Sequence, residues 1–181
     1  MVGKLRHARA VHEAGHAVIA RKLGLFVKSV DARNNNPNII SASAAHAAIS
    51  EGTPARIRGC EKDAIVALAG VAANKREFPR LHLNLFADDD ADAVNARSAI
   101  CSIVLLRGVG LPTKPTMTVD LTEAEMRQVD DIYFRLLRET EELVERHWRA
   151  IERVGKHLER HGHIDSQDEL DDLIVRGERF A

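Results

Sequence analysis

The last third of the chain is committed to helix by a start signal and the pattern that follows it. Thr122-Glu123-Ala124-Glu125 is a capping box. In such a box the threonine hydroxyl takes the amide three residues on, and the glutamate reaches back to the cap. Behind it Met126, Val129, Tyr133, Leu136, Leu137, Val144, Trp148, Ile151, Val154 and Leu158 recur at helical spacing. Such a stripe must be buried, so it predicts either one long helix or two in line, packed on other helices. Ser166-Gln167-Asp168-Glu169 caps a short final helix that carries Leu170, Leu173 and Ile174.

Upstream, residues 4–23 read as a helix through Ala8, Val11, Ala14 or Gly15, Val18 and Ile19, with Gly24 ending the run. Two short strands are expected at Leu25–Val30 and Ile39–Ala44, with the turn-forming Asn34-Asn35-Asn36-Pro37-Asn38 between them. Helical periodicity returns from Arg58 or Glu61 to about Lys75. That segment is rich in small residues (Ala64, Ala67, Ala69, Gly70, Ala72, Ala73) that permit close helix contact without naming a partner. A further helix is expected over about Asp88–Leu106, its acidic first turn suited to the positive end of the helix dipole. The fold class is therefore mainly α with a small β element. Residues 1–181 form one domain: 1–112 a core, 113–181 a helical part packed on it.

With 45% hydrophobic and 29% charged residues, the composition is that of a globular protein. No apolar run reaches the length of a membrane span, and no signal-like segment precedes His12, so the expectation is a cytoplasmic protein with no membrane insertion. Cys60 and Cys101 make neither a disulfide framework nor a cysteine-rich metal site. Basic residues dominate through residue 80 and acidic ones after it. Dense basic runs with interleaved aromatics are absent, which argues against nucleic acid as a partner.

The chemistry lies in His12-Glu13-Ala14-Gly15-His16. On a helix His12 and His16 share a face and can hold one metal ion, while Glu13, one position on, can serve as general base. Zn²⁺ acidifies a bound water, and a carboxylate beside it accepts the proton and returns it to the leaving amine. A third protein ligand is required that leaves a position open for water. The acidic cluster Asp88, Asp89, Asp90 and Asp92 is the best source, since only one of its members need point inward. His46 and His82 are weaker candidates; His147, His157, His161 and His163 read as solvated, and His7 as exposed.

These segments resemble the peptidase domain of the FtsH-type, membrane-bound, ATP-dependent zinc metalloproteases. The likeness rests on AVHEAGHAVIA (10–20), IVALAGVAAN (65–74), FADDDADAVNARSAI (86–100) and HLERHGHIDSQDELDDLI (157–174), in that order. It implies an FtsH-like peptidase fold with the HExxH on an N-terminal helix. It also implies His12, His16 and Asp90 as zinc ligands, with Asp88 the second choice, and Glu13 as catalytic base. The family is hexameric, so a homo-oligomer or a separate partner chain is implied; Leu111, Met117 and the long-helix stripe either support association or complete the monomer core. The sequence departs from the family in having no Gly-x-x-x-x-Gly-Lys-Ser/Thr loop, in Phe86 where glycine is usual, and in Asn74 where glutamate is frequent. The reading is a zinc metalloendopeptidase acting on unfolded or flexible polypeptide without an ATPase of its own. The alternative is a catalytically inactive interaction or regulatory module that retains zinc.

Overall fold

The computed structural model describes residues 2–33, 53–79, 91–108 and 121–179. Six helices are found there: α1 Val2–Lys22, α2 Thr53–Glu77, α3 Ala91–Gly108, α4 Glu123–Arg146, α5 Trp148–His161 and α6 Gln167–Glu178. Two strands, β1 Val30–Asp31 and β2 His163–Ile164, pair antiparallel with Val30 opposite Ile164. The protein is mainly α with a small sheet, as its periodicity predicts.

The core is organised around α1, which packs against α2 on one side and α5 on another, while α2 also meets α3 and α4. From Ala10 to Ala20 nearly every side chain of α1 is buried. The small residues of α2 now have a partner. A Cβ on Gly15 would lie 2.6 Å from the Ala69 carbonyl oxygen and 2.8 Å from Ala73 Cβ, so α1 and α2 approach to a distance only glycine allows. Helix α1 ends in a Schellman arrangement: Leu25 N–H donates to Ala20 O and Gly24 N–H to Arg21 O, with Gly24 at φ 77°. Arg21 then holds Asp171 of α6 through two hydrogen bonds of 2.8 and 2.9 Å.

The long C-terminal stripe resolves into two helices that meet at His147. Val129, Ile132, Leu136, Val144, Ile151, Val154 and Leu158 are buried in the monomer core, whereas Met126 and Phe134 are exposed. The Thr122–Glu125 capping box forms in both directions, and Ser166 caps α6 by accepting from Glu169 N–H. The strand expected over Leu25–Val30 is corrected: pairing begins only at Val30, where β2 lies alongside and Ala32 N–H donates to Gly162 O. That partner strand is two residues long and carries no alternating pattern, so it left no mark in the sequence. The expected strand Ile39–Ala44 lies outside the described residues, as do Leu111 and Met117. Among the described residues, no helix is long and apolar enough to cross a membrane.

Candidate metal centre

His12 and His16 lie on the face of α1 that meets α2, and the opposing face of α2 carries Val66, Gly70 and Asn74 at four-residue intervals. Each has a distinct part. The Val66 carbonyl accepts from His16 Nδ1–H at 2.6 Å. Asn74 places its amide nitrogen 3.4 Å from His12 Nδ1. Gly70 leaves room for the rings: a Cβ there would fall against His16 Nε2 and 2.7 Å from His12 Nε2.

The third group is Asp92, in the first turn of α3. Asp92, Ala96, Ile100 and Ile103 form the buried stripe of α3, so the packing of the isoleucines carries the carboxylate inward. Asp92 Oδ2 lies 2.8 Å from His12 Nε2 and 3.1 Å from His16 Nε2, and the two Nε2 atoms are 3.0 Å apart. Among the described residues this is the one group of three or more histidine, cysteine or acidic side chains placed to share an ion.

Proton counting shows what such a cluster needs. His16 donates its Nδ1 proton to Val66, so when neutral it presents a lone pair at Nε2. Neutral His12 brings one proton and ionised Asp92 none. Three converging atoms then share a single hydrogen unless a cation joins them, either an added proton or a metal ion. The electrostatics agree. Burial, the largest influence on His16, opposes its charge, yet the hydrogen bond and negative charge of Asp92, helped by Glu13, hold its pKa above the ordinary value. Burial likewise works against the Asp92 carboxylate, but the two histidines outweigh it and hold that pKa well below the usual range. Helix α3 adds the positive end of its dipole.

Zinc fits this donor set. Tetrahedral zinc at ordinary bond lengths separates nitrogen and oxygen ligands by about 3.3 Å. The three atoms stand within a few tenths of an ångström of that spacing, a difference small side-chain rotations supply. Glu13, adjacent to His12 on α1, is only 4% exposed, and its Oε2 has no hydrogen-bond partner. Burial raises its pKa, the two histidines pull it down, and Asp92 pushes it up again, for a net rise above the ordinary carboxylate value.

The predicted residues fall out unevenly. His12, His16 and Glu13 come together, and Asp92, the one member of the acidic cluster among the described residues, joins them. Asp88, Asp89, Asp90, Phe86, His46 and His82 lie outside the described residues. His7 is not simply exposed. It bridges Glu77 of α2 and Glu159 of α5 at 2.9 and 3.0 Å, and the bond to Glu77 chiefly raises its pKa. His147 and His157 pair with Glu178 and Glu169. Asn74 and the Val66 carbonyl went unremarked as supports. Their signal was the spacing 66–70–74, one helix face holding a glycine and an amide in an otherwise small and apolar run. Comparison of the sequence with protein-family models and with curated proteins finds no match.

Proposed function

We propose that this protein is a zinc-dependent peptidase that cleaves unfolded or flexible polypeptide, with His12, His16 and Asp92 as the metal ligands and Glu13 as the general base. The observation that carries the reading is the convergence of three ligand atoms within 3.1 Å of one another beside a buried carboxylate whose Oε2 is unpartnered. A purely structural site has no use for that carboxylate, and leaving it buried and unpaired is costly.

Zinc held there supplies a Lewis acid that acidifies a bound water and polarises a peptide carbonyl. Glu13 takes the proton of the attacking water and returns it to the departing amine. Val66 fixes the ring of His16, Gly70 keeps α2 clear of the ligand nitrogens, and Asp92 offsets the charge of the ion. The resemblance to FtsH-type peptidase segments supports the same assignment of His12, Glu13 and His16. In the acidic segment this reading takes Asp92 rather than Asp90 as third ligand.

The test is hydrolysis of fluorescein-labelled, unfolded casein by wild type and Glu13→Gln, each with its zinc content measured. Glu13→Gln is expected to keep zinc and to lose activity by a factor on the order of 10²–10⁴. If it cleaves as fast as wild type, or if zinc-loaded wild type cleaves nothing, the peptidase reading is wrong.

A further inference from the structure

The two imidazoles are held from behind in different ways. His16 Nδ1–H donates to a backbone carbonyl, an acceptor that cannot become a donor, so whenever the ring is neutral its Nε2 is the lone-pair atom. His12 is backed by the Asn74 side chain. That amide has both a donor and an acceptor, and which of the two faces a neighbour is reversed by half a turn about its last torsion.

As the side chains stand, Asn74 Nδ2–H donates to His12 Nδ1, which puts the proton of a neutral His12 on Nε2, 2.8 Å from Asp92 Oδ2. Asn74 Oδ1 is left buried with no partner. A metal ion on His12 Nε2 requires that nitrogen's lone pair, so the ring must carry its proton on Nδ1 instead. The contact to Nδ2–H would then set two donors face to face. Turning the amide over removes that conflict by presenting Oδ1, the atom without a partner.

We propose that Asn74 is the positioning residue for His12, its amide turning over as metal binds so that Oδ1 accepts from Nδ1–H and Nε2 is freed for the ion. This rests on the metal-centre reading and adds to it the reason for an asparagine at this position. No proton is gained or lost by the ring: the one on Nε2 leaves to solvent and another is taken up at Nδ1. An aliphatic side chain at 74 can support neither tautomer, and a carboxylate supports only the metal-ready one.

The experiment uses wild type, Asn74→Leu and Asn74→Asp, with zinc affinity measured by competition against a chromophoric chelator. Ring-nitrogen NMR on histidine-labelled protein reports the tautomer of His12, and thermal melts confirm that each variant folds. Outer partners of metal-bound histidines are worth about 10–100-fold in affinity, so Asn74→Leu should weaken zinc binding by that factor. Asn74→Asp should bind at least as tightly as wild type. His12 should carry its proton on Nε2 in metal-free wild type, on Nδ1 once zinc is bound, and on Nδ1 in both states of Asn74→Asp. Wild-type affinity in Asn74→Leu, or a His12 tautomer that does not change on zinc loading, overturns the role of Asn74 alone. Failure of the wild type to take up zinc overturns the metal centre and this inference with it.

Discussion

Gly70→Ala perturbs the centre without replacing a ligand or the base. The added methyl would stand 2.7 Å from His12 Cε1 and Nε2 and closer still to His16 Nε2, where ordinary contact begins at 3.4 Å. Something must give by about 0.7 Å or more, which a close-packed interior resists. His16 cannot retreat: its side chain is 3% exposed and its Nδ1–H is held by the Val66 carbonyl. His12 is 20% exposed and can swing aside, drawing its Nε2 away from the other two atoms, while the nearer clash at the pinned His16 must push α2 back from α1. Overpacking costs about 1–3 kcal/mol. Replacing a helical glycine by alanine returns about 1 kcal/mol, so metal-free Gly70→Ala should lose only about 0–2 kcal/mol in urea denaturation. Zinc affinity, which needs all three atoms within bonding distance, should fall on the order of 100-fold or more. Gly15→Ala is the control. Its methyl meets the Ala69 carbonyl and Ala73, so it should cost stability while sparing zinc binding by comparison. Gly70→Ala binding zinc within about threefold of wild type would refute the reasoning, because the ligand nitrogens would then not lie against that glycine.

Other consequences follow from the same geometry. Because its folded pKa is raised above the ordinary 6.5, His16 stabilises the metal-free protein below that value and ceases to do so as pH rises through the raised pKa. Asp92, depressed from 3.8, stabilises above that value and fails as pH falls through its folded pKa, so wild type should exceed Asp92→Asn in stability chiefly from pH 3.8 up to the raised pKa of His16. Zinc must displace the His16 proton, so its affinity should climb about tenfold per pH unit and level off above the raised pKa, as chelator competition across pH would show. Leu136→Ala, at a fully buried position of α4, should cost about 2–5 kcal/mol in denaturant unfolding. Thr122→Ala removes the hydroxyl that accepts from Glu125 N–H, while the backbone N–H of residue 122 can still donate to the Glu125 carboxylate, and should cost about 1 kcal/mol, with little effect on zinc affinity.

The helices were legible because their signals are local: the Thr122 box, the Ser166 cap, Gly24, and the apolar spacing on either side of His147. The pairing of α1 with α2 was half legible. A run of small residues announces that something comes close, but only the structure shows Gly15 against Ala69. The two-residue strands were not legible, since β1 and β2 are fixed by a contact between residues far apart in sequence and by Gly162 turning the chain at φ 85°. At the site, the HExxH spacing sets His12 and His16 on one face of a helix with Glu13 beside them, and the structure brings the three together. The third ligand was narrowed to four aspartates, Asp88, Asp89, Asp90 and Asp92, by their place at the start of a predicted helix. Helical phase singles out Asp92, which precedes Ala96, Ile100 and Ile103 on one face. Asn74 escaped because a residue that acts through a histidine's outer nitrogen has no spacing rule relative to that histidine when it comes from another helix.

The most direct measurement is anomalous scattering at the zinc edge from crystals grown with equimolar zinc and no chelator. The account predicts one strong peak about 2.0–2.2 Å from His12 Nε2, His16 Nε2 and a carboxylate oxygen of Asp92, with one coordination position left to water. A well-ordered site with no peak, or a peak whose ligands exclude either motif histidine, would contradict it.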